Sequence, residues 1–322
     1  MTQPLLQVED LRTHFLSRWG TAKAVDGVSF SVFPGETLGL VGESGCGKSV
    51  TCLSILRLVP QPAGKIVGGR ILWDGEDLLN KSEVEMRRIR GRCISMILQD
   101  PMTSLNPVFS IGNQVAEGIA IHQRLKGKAL WQKTVEVLGL VRISSPQARL
   151  REYPHQFSGG MRQRVVGAIS IACEPRLLIA DEPTTSLDVT IQLQYLTLLK
   201  DIQKRTGVAM IFVTHDFGIV AKICDRVAVM YAGRIVEIAD VQDLFNKPAH
   251  PYTRALLDSI PNLDEEVDRL YSIEGQPPAL HGLPPGCAFA PRCSHVTRRC
   301  GDEYPAEVFL NPGHMARCWE AA

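Results

Sequence analysis

Eight consecutive residues, Gly42-Glu43-Ser44-Gly45-Cys46-Gly47-Lys48-Ser49, fit the pattern G-x-x-x-x-G-K-[ST]. Such a loop folds its backbone round phosphate oxygens because glycines permit close approach, so that amide N–H groups face the negative charge. Lys48 is placed to bridge the β- and γ-phosphates, and the Ser49 hydroxyl suits Mg²⁺. The bland alternative is a glycine turn that binds nothing. Context argues against it: Thr37 to Val41 reads as a buried strand entering the loop, and Leu53, Ile55, Leu56 and Leu58 show helical spacing before Pro60. A helix N-terminus therefore follows the loop, and its dipole favours anions. A second candidate is Leu177-Leu178-Ile179-Ala180-Asp181-Glu182, an apolar strand ending in two carboxylates. Asp181 is placed to reach the metal and Glu182 to act as general base on water. On its own this pair also reads as a cap leading into Pro183.

Several bulk properties bound the rest. The 322 residues are 45% hydrophobic, enough for a full core, and the net charge of +1 supplies no field for nucleic acid. Apolar runs such as Leu177 to Ala180 and Val208 to Val213 fall well short of the roughly 18 to 20 residues that cross a bilayer. Met1 to Asp10 lacks the pattern of a secretory signal, so the expected compartment is the cytoplasm, where cysteines stay reduced.

Strands are expected at Leu6 to Val8, Val25 to Phe33, Thr37 to Val41, Arg70 to Leu72 and Cys93 to Leu98. Leu105 to Leu150 carries helical spacing. Buried-strand runs at Leu177 to Ala180 and Ala209 to Val213 then alternate with helical stretches at Val189 to Thr206 and Phe217 to Cys224. From Asn246-Lys247-Pro248 the composition shifts: half of the 20 prolines lie from Pro248 onward, which predicts an irregular unit after a helix at Tyr252 to Ile260.

Between the two phosphate motifs lies Phe157-Ser158-Gly159-Gly160-Met161-Arg162-Gln163-Arg164, which resembles the signature of the ABC ATPases. Ser158 and the glycines before a helix make a second anion-binding N-terminus. The resemblance covers essentially the whole chain. It implies an α/β fold: a P-loop NTPase (RecA-like) core with an antiparallel β subdomain, an inserted helical subdomain at about 100–165, and a small irregular Cys-rich extension. The expected division is an ATPase domain at 1–246 and an extension at 247–322. In the family, the signature loop contacts the γ-phosphate of ATP held by the opposite subunit, so Ser158, Gly159 and Gly160 are assigned to nucleotide binding together with Gly42, Ser44, Gly45, Cys46, Gly47, Lys48, Ser49 and Val50. Gln99 resembles the Q-loop glutamine that senses magnesium and the attacking water. Asp188, in Ser186-Leu187-Asp188, resembles the D-loop residue at the dimer interface, with Ser186 standing where members usually have alanine. His215 resembles the switch histidine that holds the γ-phosphate; a lone histidine after a strand is otherwise structural. Phe15, or alternatively Trp19, is assigned to stacking on adenine.

Gln99-Asp100-Pro101-Met102-Thr103-Ser104-Leu105-Asn106-Pro107 and His250-Pro251-Tyr252-Thr253-Arg254-Ala255-Leu256 resemble the peptide and nickel importer group. The resemblance implies an ATP-hydrolysing importer subunit using ATP and Mg²⁺ at the cytoplasmic face of the inner membrane. Its implied partners are a second, homologous ATPase chain, two transmembrane permease subunits and, indirectly, an extracytoplasmic solute-binding protein. Dipeptides or oligopeptides are the expected cargo, with nickel, glutathione or another small solute as alternatives. A soluble ABC protein acting on nucleic acid or the ribosome is the competing class; Arg87, Arg88, Arg90 and Arg92 would serve it, but a short charge run is usually a solvated face.

Cys46, Cys52, Cys93, Cys173 and Cys224 are scattered and read as small buried hydrophobes. Cys287, Cys293, Cys300 and Cys318 cluster in the tail, and Pro285 to Cys293 resembles the tail of peptide importer ATPases, some of which carry a 4Fe-4S cluster there. That resemblance implies an iron-sulfur cluster on these four thiols; zinc and unligated thiols are the alternatives. His295 and His314 are further candidate ligands, expected instead to face solvent.

Overall fold

The computed structural model describes residues 3–18, 20–99, 104–185, 187–260 and 271–321. Trp19, Ser186 and Asp100 to Thr103 lie outside the described residues. The chain divides into two compact units, one of residues 1–3, 32–36 and 80–213, the other of residues 4–31, 37–79 and 214–322.

In the second of these units, the strands Gly20–Val32, Leu6–Ser17, Gly64–Trp73 and Glu76–Asp77 follow one another in a four-stranded sheet. Leu6–Ser17 runs antiparallel to Gly64–Trp73, from Leu6 opposite Trp73 to Phe15 opposite Gly64. Strict alternation would send Leu11 and Thr13 to the opposite face from Leu6 and Val8. A register shift between Glu9 and Arg12, with Asp10 at φ 46°, resets the parity, and all four side chains are buried.

Thr37–Val41, buried throughout, lies parallel to Arg226–Tyr231, which pairs antiparallel with Arg234–Asp240. The two residues joining those last strands, Ala232 and Gly233, both have positive φ, the backbone of the tight turn that matches strand twist. The tail adds His314–Ala316 beside Arg234–Asp240, and Val308–Asn311 beside that. A buried carboxylate secures this addition. Glu237 accepts hydrogen bonds from the Ala249 and His250 amides (2.7 and 2.9 Å), and its Oε1 lies 2.7 Å from His314 Nε2. His314 is thus buried in the fold and does not face solvent as expected, because a buried carboxylate needs donors.

The other unit holds the parallel strands Ile94–Ile97, Leu177–Asp181 and Ala209–Thr214, whose almost unbroken apolar sequence matches a sheet covered on both faces. Its helices include Ile111–His122, Gly127–Leu140 and Pro146–Arg149, then Gly159–Ile171 and Val189–Thr206. The arginine run sits on the helix Glu83–Ile89 and just beyond it, where Arg90 pairs with Glu83 at 2.6 Å. Ser82 and Glu85 form a reciprocal cap at that helix's start. Among the described residues, no helix is long and apolar enough to cross a membrane.

His250 begins the helix Pro251–Asp258, where its Nδ1 accepts from the Tyr252 amide at 3.0 Å. Burial lowers its pKa from 6.5 to about 3. In the unfolded chain the imidazole takes up a proton near pH 6.5, whereas in the fold it stays neutral until about pH 3. The unfolded state therefore binds more protons across that window, and stability falls as pH falls through it. His250→Asn keeps a capping acceptor and removes the titration. Denaturant unfolding of the variant should show a flatter stability profile between pH 6.5 and 3 than the unaltered chain; an identical slope would contradict this account.

Candidate functional site

In the unit of residues 4–31, 37–79 and 214–322, the strand Thr37–Val41 delivers the chain into the phosphate loop, and the helix Lys48–Ile55 leaves it. Gly42, Gly45 and Gly47 all have positive φ (149°, 79° and 109°). At Gly47 a side chain is excluded as well, since a Cβ would overlap the Ala24 carbonyl. The loop is further tied by the Gly233 amide donating to the Cys46 carbonyl at 2.9 Å. Lys48 is buried, and its Nζ donates to the carbonyls of Gly42 and Glu43 at 2.7 and 3.0 Å, with Cys46 Sγ at 3.7 Å. All these acceptors are neutral, so the ammonium charge remains available to an anion. Ser49 and Val50 stand in the first turn of the helix, where its N-terminus concentrates positive potential. Burial raises the Cys46 thiol.

Phe15 is half-buried on its strand, and its ring packs where Gly64 has no side chain. His215 is exposed immediately after Thr214. The turn that presents it is pinned: Asp216 caps the helix Phe217–Ile223 by accepting from the Gly218 and Ile219 amides, and its own amide donates to Thr214 Oγ1 at 3.0 Å.

In the unit of residues 1–3, 32–36 and 80–213, the parallel register sets Ile97 beside Ala180 and Asp181 beside Val213. Gln99 and Glu182, each just beyond its strand end, consequently meet: Gln99 Nε2 donates to Glu182 Oε2 at 3.1 Å. Thr185 Oγ1 donates to the same oxygen at 3.1 Å. Glu182 has φ 45°, a left-handed conformation that is unfavourable for a residue with a side chain. Its amide donates to the Val213 carbonyl at 3.0 Å, which helps hold that conformation. Asp181 is buried at the strand end.

Ser158 caps the helix Gly159–Ile171, accepting from the Met161 amide at 3.4 Å, and both Ser158 and Gly159 are exposed there. Gly160 lets this helix approach Ile191 too closely for any Cβ. Asp188 caps the helix Val189–Thr206 through the Ile191 amide at 3.0 Å. Two helix N-termini with hydroxyl and carboxylate caps are therefore presented by this unit.

The expectation of a 4Fe-4S cluster on Cys287, Cys293, Cys300 and Cys318 is corrected. Among the described residues, no three Cys, His, Asp or Glu side chains are grouped to hold a metal ion. None of the nine cysteines forms a disulfide. Burial raises the thiols of Cys293 and Cys318 and pushes Cys287 up to about 11. Cys300 Sγ lies 3.3 Å from the Thr297 hydroxyl, and Cys318 Sγ accepts from the Glu320 amide. The four cysteines line one cleft together with Phe289 and His295, Cys300 and Cys318 buried and Cys287 and Cys293 half-buried.

Sequence reasoning also missed a link between the phosphate loop and the tail. Glu43 carries a two-pronged ion pair with Arg292, and its amide donates to the Tyr252 hydroxyl at 2.8 Å. No local signal announces contacts between residues 249 apart in sequence.

Residues 25–185 match the ABC transporter family model, and residues 236–300 match the oligopeptide/dipeptide transporter C-terminal region. The chain is 52% identical over 318 residues to a probable peptide ABC transporter ATP-binding protein, y4tR, of Sinorhizobium fredii, covering 98% of this chain and 95% of the relative. It is 50% identical over 317 residues to the dipeptide transport ATP-binding protein DppD of Bacillus subtilis, with the same coverage. Among solved structures, the dimeric post-hydrolysis state of the ATP-binding cassette MJ0796, bound to ADP and Pi, matches with a TM-score of 0.66 at 23% identity. That match spans 73% of this chain and 98% of the cassette, and it speaks to the fold. CbiO1 of Clostridium perfringens, part of the ABC transporter complex cbiONQ, matches with a TM-score of 0.64 at 28% identity, over 76% of this chain and 91% of that one.

The positive φ at Glu182 has a measurable consequence. Glu182→Gly and Glu182→Ala both delete the carboxylate, so their difference isolates the backbone. Glycine should be the more stable replacement by about 1 kcal/mol, read from denaturant midpoints at equal slope. Equal stability would show that the left-handed conformation is not retained.

Proposed function

Because the chain belongs to the ABC transporter ATP-binding proteins and is an ATPase of that family, we propose that it powers uptake of dipeptides or oligopeptides. In this reading residues 1–246 form the ATPase domain, with a helical part at about 100–165, and residues 247–322 the importer-type extension. The chain pairs with a second, homologous ATPase and docks on two permease subunits at the cytoplasmic face of the membrane, where a solute-binding protein delivers cargo from outside. The relatives' names and the match of residues 236–300 support the peptide assignment over nickel or glutathione.

The observation that carries the catalytic reading is the Gln99–Glu182 hydrogen bond at 3.1 Å. ATP's phosphates lie on the loop of Gly42 to Ser49, with Lys48 against the β- and γ-phosphates and Phe15 against adenine. Ser158, Gly159 and Gly160 of the paired chain close over the γ-phosphate, and Asp188 works at the same interface. Ser49, Gln99 and Asp181 each carry a hard oxygen donor of the kind Mg²⁺ takes, and in this reading they would hold it. When bound, Mg²⁺ offsets the negative charge of the β- and γ-phosphates. Glu182, oriented by Gln99 and Thr185, takes the proton of the attacking water as its oxygen bonds to the γ-phosphorus. The bond from that phosphorus to the β–γ bridging oxygen breaks, and ADP keeps its electrons. His215 holds the γ-phosphate through this exchange.

Glu182→Gln keeps the hydrogen-bonding shape and removes the base. In vesicles carrying the reconstituted transporter, kcat should fall by about 10²–10⁴-fold while ATP affinity is retained. Turnover surviving at the original rate would remove Glu182 from the role of base. In the same vesicles, dipeptides should stimulate hydrolysis by the unaltered transporter; stimulation by nickel or glutathione instead would replace the peptide assignment.

A further inference from the structure

The phosphate loop carries an acid where its ligand is a polyanion. Glu43, the second residue of the pattern, is 28% exposed in its side chain. A lone carboxylate on that loop would repel a nucleoside triphosphate. Arg292 meets it with two parallel bonds, Nη1 to Oε2 at 2.7 Å and Nη2 to Oε1 at 2.9 Å. This is the fork geometry in which arginine binds carboxylates most firmly.

The guanidinium itself is fixed. Only 5% of the Arg292 side chain is exposed. Its Nε donates to the Glu274 carbonyl at 2.9 Å and its Nη1 to the Tyr231 hydroxyl at 3.2 Å. The ring centroids of Tyr231 and Phe289 lie 5.9 and 6.0 Å from its Cζ, within cation–π range. Beside these residues, Pro277 to Leu280 and Glu43 to Cys46 line a cleft of about 320 Å³. The C-terminal segment therefore meets the phosphate loop at Glu43 and supplies its compensating charge.

We propose that Arg292 is a positioning residue for ATP binding: it neutralises and immobilises the Glu43 carboxylate, so that the loop's affinity for nucleotide phosphates depends on the C-terminal segment. The proposal rests on the ATPase reading and adds a residue outside every nucleotide motif. A purely structural tether would respond differently to mutation. If the pair served only to hold the tail, loss of either partner would weaken the site. If charge compensation is its role, the two single replacements move affinity in opposite directions.

The test is equilibrium binding of Mg-ATP to the full-length chain at low and high salt. Arg292→Ala should weaken binding on the order of tenfold at low salt, and the deficit should shrink at high salt as the repulsion is screened. Arg292→Lys, which keeps the charge but not the fork, should lose less affinity than Arg292→Ala. Glu43→Gln should bind ATP more tightly than the unaltered chain, and the double variant Glu43→Gln/Arg292→Ala should recover from the single loss. Weaker binding by Glu43→Gln, or a double variant no better than Arg292→Ala, would overturn the inference. Should Arg292→Ala fail to fold, the sign of the Glu43→Gln effect alone decides. Absence of ATP binding to the unaltered chain would overturn the ATPase reading and the inference with it; normal binding with both single variants weakened would overturn the inference alone.

Discussion

The anion-shaped backbone of residues 42–49 is the constraint on which the rest depends. An amide cradle exists only where the chain takes positive φ at Gly42, Gly45 and Gly47, and where neighbouring strands come so close that a side chain at Gly47 would strike the Ala24 carbonyl. Tight turns of this kind need rigid supports. The buried strand Thr37–Val41, the parallel partner Arg226–Tyr231 and the Gly233 amide on the Cys46 carbonyl provide them. The cost of placing the Lys48 ammonium in this buried setting is reduced by carbonyl acceptors, which leave its charge uncancelled. The loop is thus built for a negative ligand.

The chemistry carried by the unit of residues 1–3, 32–36 and 80–213 follows a related logic, in which regular elements hold an irregular residue. Parallel register brings Ile97 level with Ala180, and the residues just past both strand ends, Gln99 and Glu182, come within hydrogen-bonding distance. Glu182 keeps its left-handed backbone because the Val213 carbonyl holds its amide. Two further N-termini, capped by Ser158 and Asp188, add positive potential at defined points of the same unit. Function is therefore concentrated at element ends, where backbone groups are available to ligands.

Legibility from sequence tracked how local the determining physics is. The phosphate loop, the strand Thr37–Val41 and the helix Val189–Thr206 were readable because glycine spacing and apolar periodicity are local signals. The strand Leu6–Ser17 was seen only as far as Val8, since the bulge after Glu9 breaks the alternation that identifies strands. Strands Arg226–Tyr231 and Arg234–Asp240 were missed although the Ala232-Gly233 turn marks their hairpin. The tail was the least legible part. Its order comes from partners distant in sequence: Glu237 with His314, and Glu43 with Arg292. Four clustered cysteines suggested iron-sulfur ligation, but among the described residues no three Cys, His, Asp or Glu side chains are grouped to hold a metal ion, a matter of side-chain geometry that residue type alone does not reveal.

The central claim, that residues 42–49 form a working triphosphate cradle, is tested most directly by calorimetric titration of the full-length chain with Mg-ATP beside Lys48→Met. Methionine fills similar volume without charge or donors. The account predicts saturable binding to the unaltered chain and a loss of about 100-fold or more in the variant, the effect of deleting one buried, charge-assisted contact to phosphate. Equal affinity for the two proteins would contradict it.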